Sequence, residues 1–231
     1  MSVITIRGQL GSGAPEIGKL VADKLKIDYV DRDIIAMVAE QIKRSQEGVE
    51  VKEMPPGTLA GRILEAFEHS GAISSIANGM FVPDWEPPLD DASYRIGLES
   101  VIKQLADSES LVIRGRGSQF ILRDSPEAFH VLIVAPLELR IKRVMEDLQI
   151  DDEAAKKRVE HFDISRREFA TRYFKAELED PGNYDLVVNT RRLIFEDAAA
   201  LIISICSQYF TFKRKAFNQD HVTEYRCDSN R

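Results

Sequence analysis

The chain has 231 residues, a length that allows one domain or one domain carrying a sizeable insertion. Its 44% hydrophobic and 30% charged residues are ordinary for a globular protein, and no apolar run approaches the roughly 20 residues of a membrane span. A formal charge of -7 argues against broad binding to nucleic acid, although clustered arginines can still build an anion site in an acidic protein. Cys206 and Cys227 have neither metal-ligand spacing nor the density of a disulfide framework, so both read as plain thiols. The opening Met-Ser-Val-Ile-Thr-Ile runs straight into a strand pattern without the basic region or cleavage site of a secretory signal, which predicts a cytoplasmic protein.

Residues 3–7 form a β-branched run, residues 8–13 a glycine-rich turn, and Ile17, Leu20, Val21 and Leu25 then recur at helical spacing. Asp28, Tyr29 and Val30 predict a second short strand, followed by Asp31, Arg32 and Asp33. Asp33 is a candidate cap for a helix carrying Ile34, Ile35, Val38 and Ile42. Over residues 46–91 the pattern loosens, with Pro55, Pro56, Pro83, Pro87 and Pro88, Trp85 among the last three, and a helix expected from Leu59 to His69. This stretch reads as an insertion into a core of residues 1–45 and 92–208.

Regular pattern returns with the helical stripe of Tyr94, Leu98, Val101, Ile102 and Leu105, a strand over 110–114, and the turn Gly115-Arg-Gly117. Phe129 to Ala135 is a near-continuous apolar run stopped by Pro136, the mark of a strand covered on both faces. A helix with Leu137, Ile141, Val144, Met145 and Leu148 follows. Residues 151–177 are helical, rich in charge and thin in apolar stripe, and predict a mobile charged hairpin; the whole lid-like region spans about 137–180. A strand over 184–189 and a core helix with Ile194, Ala198, Leu201, Ile202 and Ile205 close the pattern, leaving 209–231 as a loosely docked tail. Five strands alternating with helices predict an α/β fold, a three-layer α/β/α arrangement on a five-stranded parallel sheet.

A strand, a glycine turn and a helix aim successive N–H groups and the positive helix end at one point, which suits a phosphate. Gly8-Gln-Leu-Gly-Ser-Gly13 matches the glycine frame of the phosphate-binding pattern G-x-x-x-x-G-K-[ST]. The next residues, however, are Ala14 and Pro15 in place of the lysine and the hydroxyl residue. A charge for the phosphates and a ligand for magnesium are thereby missing, with Ser12 left as a weak candidate metal ligand. The plainer reading is a turn that merely joins strand to helix. Its position after the first strand, at the carboxyl end where such folds place ligands, favours the functional one.

Ile4-Thr-Ile6, Gly11-Ser-Gly13 followed by Glu16-Ile17, Tyr29-Val-Asp-Arg-Asp33, Gly115-Arg-Gly117, Val134-Ala-Pro-Leu-Glu-Leu-Arg140 and Asn183-Tyr-Asp-Leu-Val-Val-Asn-Thr190 together resemble the cytidylate kinase-like family. The resemblance covers most of the chain and is weakest in the insertion and the tail. It implies a nucleoside monophosphate kinase-like fold that binds ATP with magnesium and passes the γ phosphate to a small nucleotide, CMP being the implied acceptor. It also implies an arginine-rich lid, since a planar guanidinium gives paired hydrogen bonds to phosphate and offsets the charge spread over it during transfer. On that basis Arg116 is expected at the acceptor phosphate, and Arg140, Arg143, Arg166, Arg167 and Arg172 are expected near the transferred group. Gly8, Gly11, Ser12, Gly13 and Ala14 are expected at the ATP phosphates, Thr190 and Arg191 at the adenine, and Asp31, Arg32 and Asp33 at the acceptor. Each lid arginine also has a plain alternative as a surface partner of Asp147, Asp151, Glu160 or Asp163.

The strand before Gly115 ends in Arg114 where many enzymes with this loop carry a magnesium-holding acid, so any metal would be held largely by phosphates and water. Three functions stay open: a nucleotide phosphotransferase, a nucleotide-binding protein without transfer activity, and a kinase for a non-nucleotide acceptor. The expected partner is a small-molecule nucleotide, with no nucleic acid and no membrane, and a homo-oligomer is left open.

Overall fold

The computed structural model describes residues 2–31, 33–41 and 90–227, with side chains of the last helix described to Phe212. Arg32, the helix expected over 59–69, Trp85 and most of the 46–91 insertion lie outside the described residues.

Strands β1 (Val3–Gly8), β2 (Asp28–Val30), β3 (Leu111–Arg114), β4 (Ala128–Val134) and β5 (Leu186–Asn189) form one five-stranded sheet in the order β2-β3-β1-β4-β5. All its pairings are parallel. The helices are α1 (Ala14–Leu25), α2 (Asp33–Gln41), α3 (Asp91–Ser108), α4 (Ser118–Ile121), α5 (Leu137–Leu148), α6 (Asp152–Phe174) and α7 (Phe195–Cys227). On one face, Ile4, Ile6 and Ile133 pack against Ile17 and Val21 of α1 and Ala198, Ile202 and Cys206 of α7. On the other, Val3, Leu111 and Ile113 meet Ile34 of α2, Tyr94, Leu98 and Ile102 of α3, and Phe169 and Tyr173 of α6. Helices on both faces of a parallel sheet make three layers, and β1, central in the sheet, is buried at all six positions.

Several boundaries differ from the sequence expectation for physical reasons. Asp33 is the first residue of α2 and not its cap, so its charge complements the positive helix end from inside the first turn. Helix α3 starts at Asp91, one turn ahead of its apolar stripe, because the Asp90 carboxylate accepts from the Ser93 amide at 2.8 Å and the Ser93 hydroxyl at 2.6 Å. Residues 209–227 are no separate tail. Helix α7 runs on through them, since residues 193–231 contain neither glycine nor proline and Tyr209 packs on the Phe129 ring at 5.1 Å. Its buried face is Ala198, Ala199, Ile202 and Cys206, while Ile194 and Leu201, both assigned to the core from sequence, are exposed.

The thin apolar stripe of the charged region also has a structural reason. Helix α6 is one helix of 23 residues, capped by Asp151 on the Ala154 amide at 2.8 Å, and it changes neighbours along its length. Ala155 and Val159 pack on Ile141 and Val144 of α5, whereas Phe169 and Tyr173 belong to the main core. Each half needs only a few apolar residues, so no continuous stripe develops.

His130 of β4 is buried, with its Nδ1 2.7 Å from the Thr5 hydroxyl. Burial lowers its pKa, with nearby Asp185 and a backbone bond to Leu122 opposing. The unfolded chain therefore accepts a proton that the folded chain resists. Stability is full above the ordinary histidine value of about 6.5 and declines as pH falls below it toward the lowered folded value. Denaturant midpoints near pH 7.5 and pH 5.5 should show a smaller acid loss in His130→Asn than in the parent.

Candidate functional site

The two glycine turns follow β1 and β3, adjacent strands at the centre of the sheet, and therefore lie side by side at its carboxyl edge. In the first, Gly11 has φ +76 and Gly13 φ +87, left-handed conformations that glycine adopts at little cost. Space forbids a side chain as well. A Cβ on Gly11 would come within 2.5 Å of the Arg140 carbonyl oxygen, one on Gly8 within 2.7 Å of the Ser12 hydroxyl, and one on Gly13 would overlap the Phe195 ring. Gly13→Ala is accordingly expected to lower stability by about 1–3 kcal/mol through φ strain and overpacking, measurable by urea denaturation.

Three loop carbonyls are tied outward. Arg140 Nη1 donates to Leu10 O at 3.5 Å, Arg143 Nη1 to Gly11 O at 3.1 Å, and the Thr190 hydroxyl to Ser12 O at 2.8 Å. Because a trans peptide carries C=O and N–H on opposite sides, anchoring the Leu10 and Ser12 carbonyls turns the Gly11 and Gly13 amides the other way. Ser12 is fully buried, and its hydroxyl has no hydrogen-bond partner among the described residues. Helix α1 then begins at Ala14 with Pro15 in its first turn, where proline's missing N–H costs no helical bond.

The second turn holds three successive left-handed residues: Gly115 at φ +76, Arg116 at +58 and Gly117 at +69. For arginine this conformation costs roughly 1–2 kcal/mol, and such strain collects at functional positions. Between the two turns and α6 lies a cavity of about 130 Å³, lined by Arg7, Gly8, Asp31, Arg114, Arg116 and Arg166, with Phe162, Phe169 and Leu178 among its apolar walls. Four guanidiniums against one carboxylate make it strongly cationic. Arg114 grips Asp31 through Nε at 2.9 Å and Nη2 at 2.6 Å, locking the ends of β3 and β2 together.

The structure sorts the arginines expected in a lid. Arg166 lines the cavity and stands 5.2 Å from the Phe162 ring centre, and Arg167 is exposed. Arg140, Arg143 and Arg172 lie outside the cavity lining and bond to other elements. Arg140 is buried and bonds both oxygens of Asp163 at 2.9 and 3.2 Å. Arg143 lies over Phe195 at 5.1 Å and binds the Thr190 hydroxyl at 2.9 Å and carbonyl at 3.1 Å. Arg172 pairs with Asp91 at 2.6 and 2.8 Å. These partners come from distant elements, apart from Asp163, which the sequence had named among the local ones. Thr190 is a fully buried brace of the loop, while Arg191 is exposed with its amide on Asn189 Oδ1 at 2.9 Å. Asp33 is exposed on α2 and does not line the cavity. Arg7 and Phe162 were not foreseen. The one charged residue inside a buried β1 was the available signal for Arg7.

The donor set fits phosphate: loop amides, a free hydroxyl and guanidiniums. Among the described residues no group of three or more His, Cys, Asp or Glu side chains could hold a metal ion. No described helix is long and apolar enough to cross a membrane.

A phosphate-type glycine loop after the central strand of a parallel sheet, with helices on both faces, defines a three-layer P-loop fold. The chain belongs to the cytidylate kinase-like family, whose model matches residues 3–192 and ends just before α7. It is similar to a cytidylate kinase of Sulfolobus acidocaldarius, with 24% identity over 205 residues covering 89% of this chain and 94% of that protein. Among solved structures, an uncharacterized protein from Eubacterium ventriosum superposes with a TM-score of 0.62 at 19% identity, covering 90% of this chain and 99% of that one. At that identity the likeness is one of fold.

Proposed function

We propose that the chain is a phosphotransferase that moves the γ phosphoryl group of ATP to the phosphate of a nucleoside monophosphate, with CMP the acceptor suggested by its Sulfolobus relative. The observation that carries this reading is the cationic cavity lined by four arginines, which meets the first glycine turn at Gly8 and the second along Gly115, Arg116 and Gly117. Beside it, the loop amides and the start of α1 hold the ATP phosphates. Arg116 holds the acceptor phosphate from the adjacent turn, and Asp31, fixed by Arg114, faces the acceptor. Arg166 comes from α6 toward the transferred group, where preorganised cations lower the barrier by matching the charge of the transition state. ATP and nucleotide acceptors suit a cytoplasmic setting.

A second reading, nucleotide binding without transfer, is favoured by specific observations. Ala14 and Pro15 stand in place of the lysine and hydroxyl, and Arg140, Arg143 and Arg172 are committed to internal bonds. ADP release measured with magnesium against a panel of nucleoside monophosphates, beside calorimetric binding of ATP and each acceptor, separates the two. Turnover supports the phosphotransferase. Binding of both nucleotides without turnover establishes the second reading in its place.

A further inference from the structure

Arg7 is the penultimate residue of β1 and is 8% exposed. Among the described residues its guanidinium makes no hydrogen bond and no ion pair; it stands 5.8 Å from the centre of the Phe162 ring. The acids nearest in electrostatic influence are Glu179 and Asp163. Both are engaged elsewhere, Asp163 by Arg140 at 2.9 Å and Glu179 by the Gln9 side-chain amide at 3.2 Å. Tyr184, also close, donates its hydroxyl to the Leu178 carbonyl. Arg166 adds a second cation over the same Phe162 ring.

A buried cation without an ionised partner is costly, and a second cation close by adds repulsion. The effect registers on Arg7 itself, whose pKa falls to about 10, chiefly through burial and further through Arg166, against opposition from Tyr184, Glu179 and Asp163. Among the described residues no hydrogen bond or ion pair uses this charge, which rests against the face of Phe162. An apolar side chain of similar length would fill the same space over Phe162 without the penalty. The side chain nevertheless lines the cavity between the two glycine turns, next to Gly8.

We infer that Arg7 is an anion-binding residue, the buried floor of a subsite that receives the phosphate monoester group of the acceptor between Gly8 and Arg116. The inference rests on reading the cavity as the acceptor side of the site, and it assigns to β1 a charge that the loop lacks at Ala14. A phosphate dianion there would give the guanidinium a charge-assisted, two-pronged partner and relieve its repulsion with Arg166.

The test compares the parent with Arg7→Met and Arg7→Lys, using inorganic phosphate, CMP and cytidine as probes in calorimetry and thermal melts. Arg7→Met should melt higher than the parent without ligand, because the unpaired charge is gone. Its affinity for CMP and its stabilisation by phosphate should fall about 10- to 100-fold, with cytidine binding unchanged and Arg7→Lys intermediate. If Arg7→Met melts lower and binds CMP and phosphate as the parent does, the arginine is a structural cation and the inference is overturned. A parent that binds neither phosphate nor CMP overturns it too. Should Arg7→Met fail to fold, Arg7→Gln supplies the same comparison. Arg7-dependent phosphate binding in a protein that releases no ADP would uphold the subsite while removing the phosphotransferase. ADP release undiminished by Arg7→Met would do the reverse.

Discussion

Arg140→Ala is expected to destabilise the protein by about 3–5 kcal/mol, the range for breaking one partner out of a buried ion pair. The Arg140 side chain is 6% exposed and that of Asp163 15%, so the carboxylate left behind would have neither its cation nor ready access to water. The loss reaches further than the pair. Arg140 also holds the Leu10 carbonyl of the glycine loop, and its own backbone lies directly against Gly11. It therefore joins α5, α6 and the loop at one point. Asp163→Ala should cost a comparable amount by stranding the guanidinium. The double replacement Arg140→Met with Asp163→Leu should recover much of the loss, because a well-packed apolar pair removes both desolvated charges. Urea midpoints at neutral pH measure all three. A parent-like midpoint in Arg140→Ala would assign the residue to ligand binding instead.

Arg116→Ala is expected to lower phosphotransferase turnover by about 100-fold or more in protein that still folds. Its backbone carries a left-handed conformation whichever side chain is present, so alanine inherits the strain, while the cavity-lining guanidinium is lost with its contacts. Arg116→Lys keeps the charge and loses the planar fork, and should recover only part of the rate. Steady-state ADP release, with the acceptor varied, shows whether the loss falls on kcat, as expected for a group that orients the acceptor phosphate for attack, or on KM alone. A change in KM alone would make Arg116 an affinity residue. Full activity in Arg116→Ala would move the acceptor phosphate away from the Gly115–Gly117 turn.

The strands, their parallel arrangement and the main helices were legible because their apolar residues follow simple periods: β1 and β4 as short continuous runs, α1 and α3 as stripes. Helix α6 was less legible because it divides its few apolar residues between α5 and the main core. Helix α7 was cut short because a shift from aliphatic to aromatic residues at Tyr209 resembles an end, although Tyr209 packs on Phe129. At the site, both glycine turns and Arg116 were readable, since left-handed backbone restricts residue choice locally. The fates of the other arginines were not.

Sequence alone determined the glycine frame, the replacement of the expected lysine and hydroxyl by Ala14 and Pro15, and the order of elements that sets both turns at one edge of the sheet. These are local properties, encoded within a few residues of where they act. Tertiary structure decided which cations are spent and which face the cavity. Arg140 and Arg172 are taken up by Asp163 and Asp91, 23 and 81 residues away, while Arg7, on the central strand, is buried without an ion pair among the described residues. A guanidinium's role depends on what the fold brings within about 4 Å of it, a distance that bears little relation to separation along the chain.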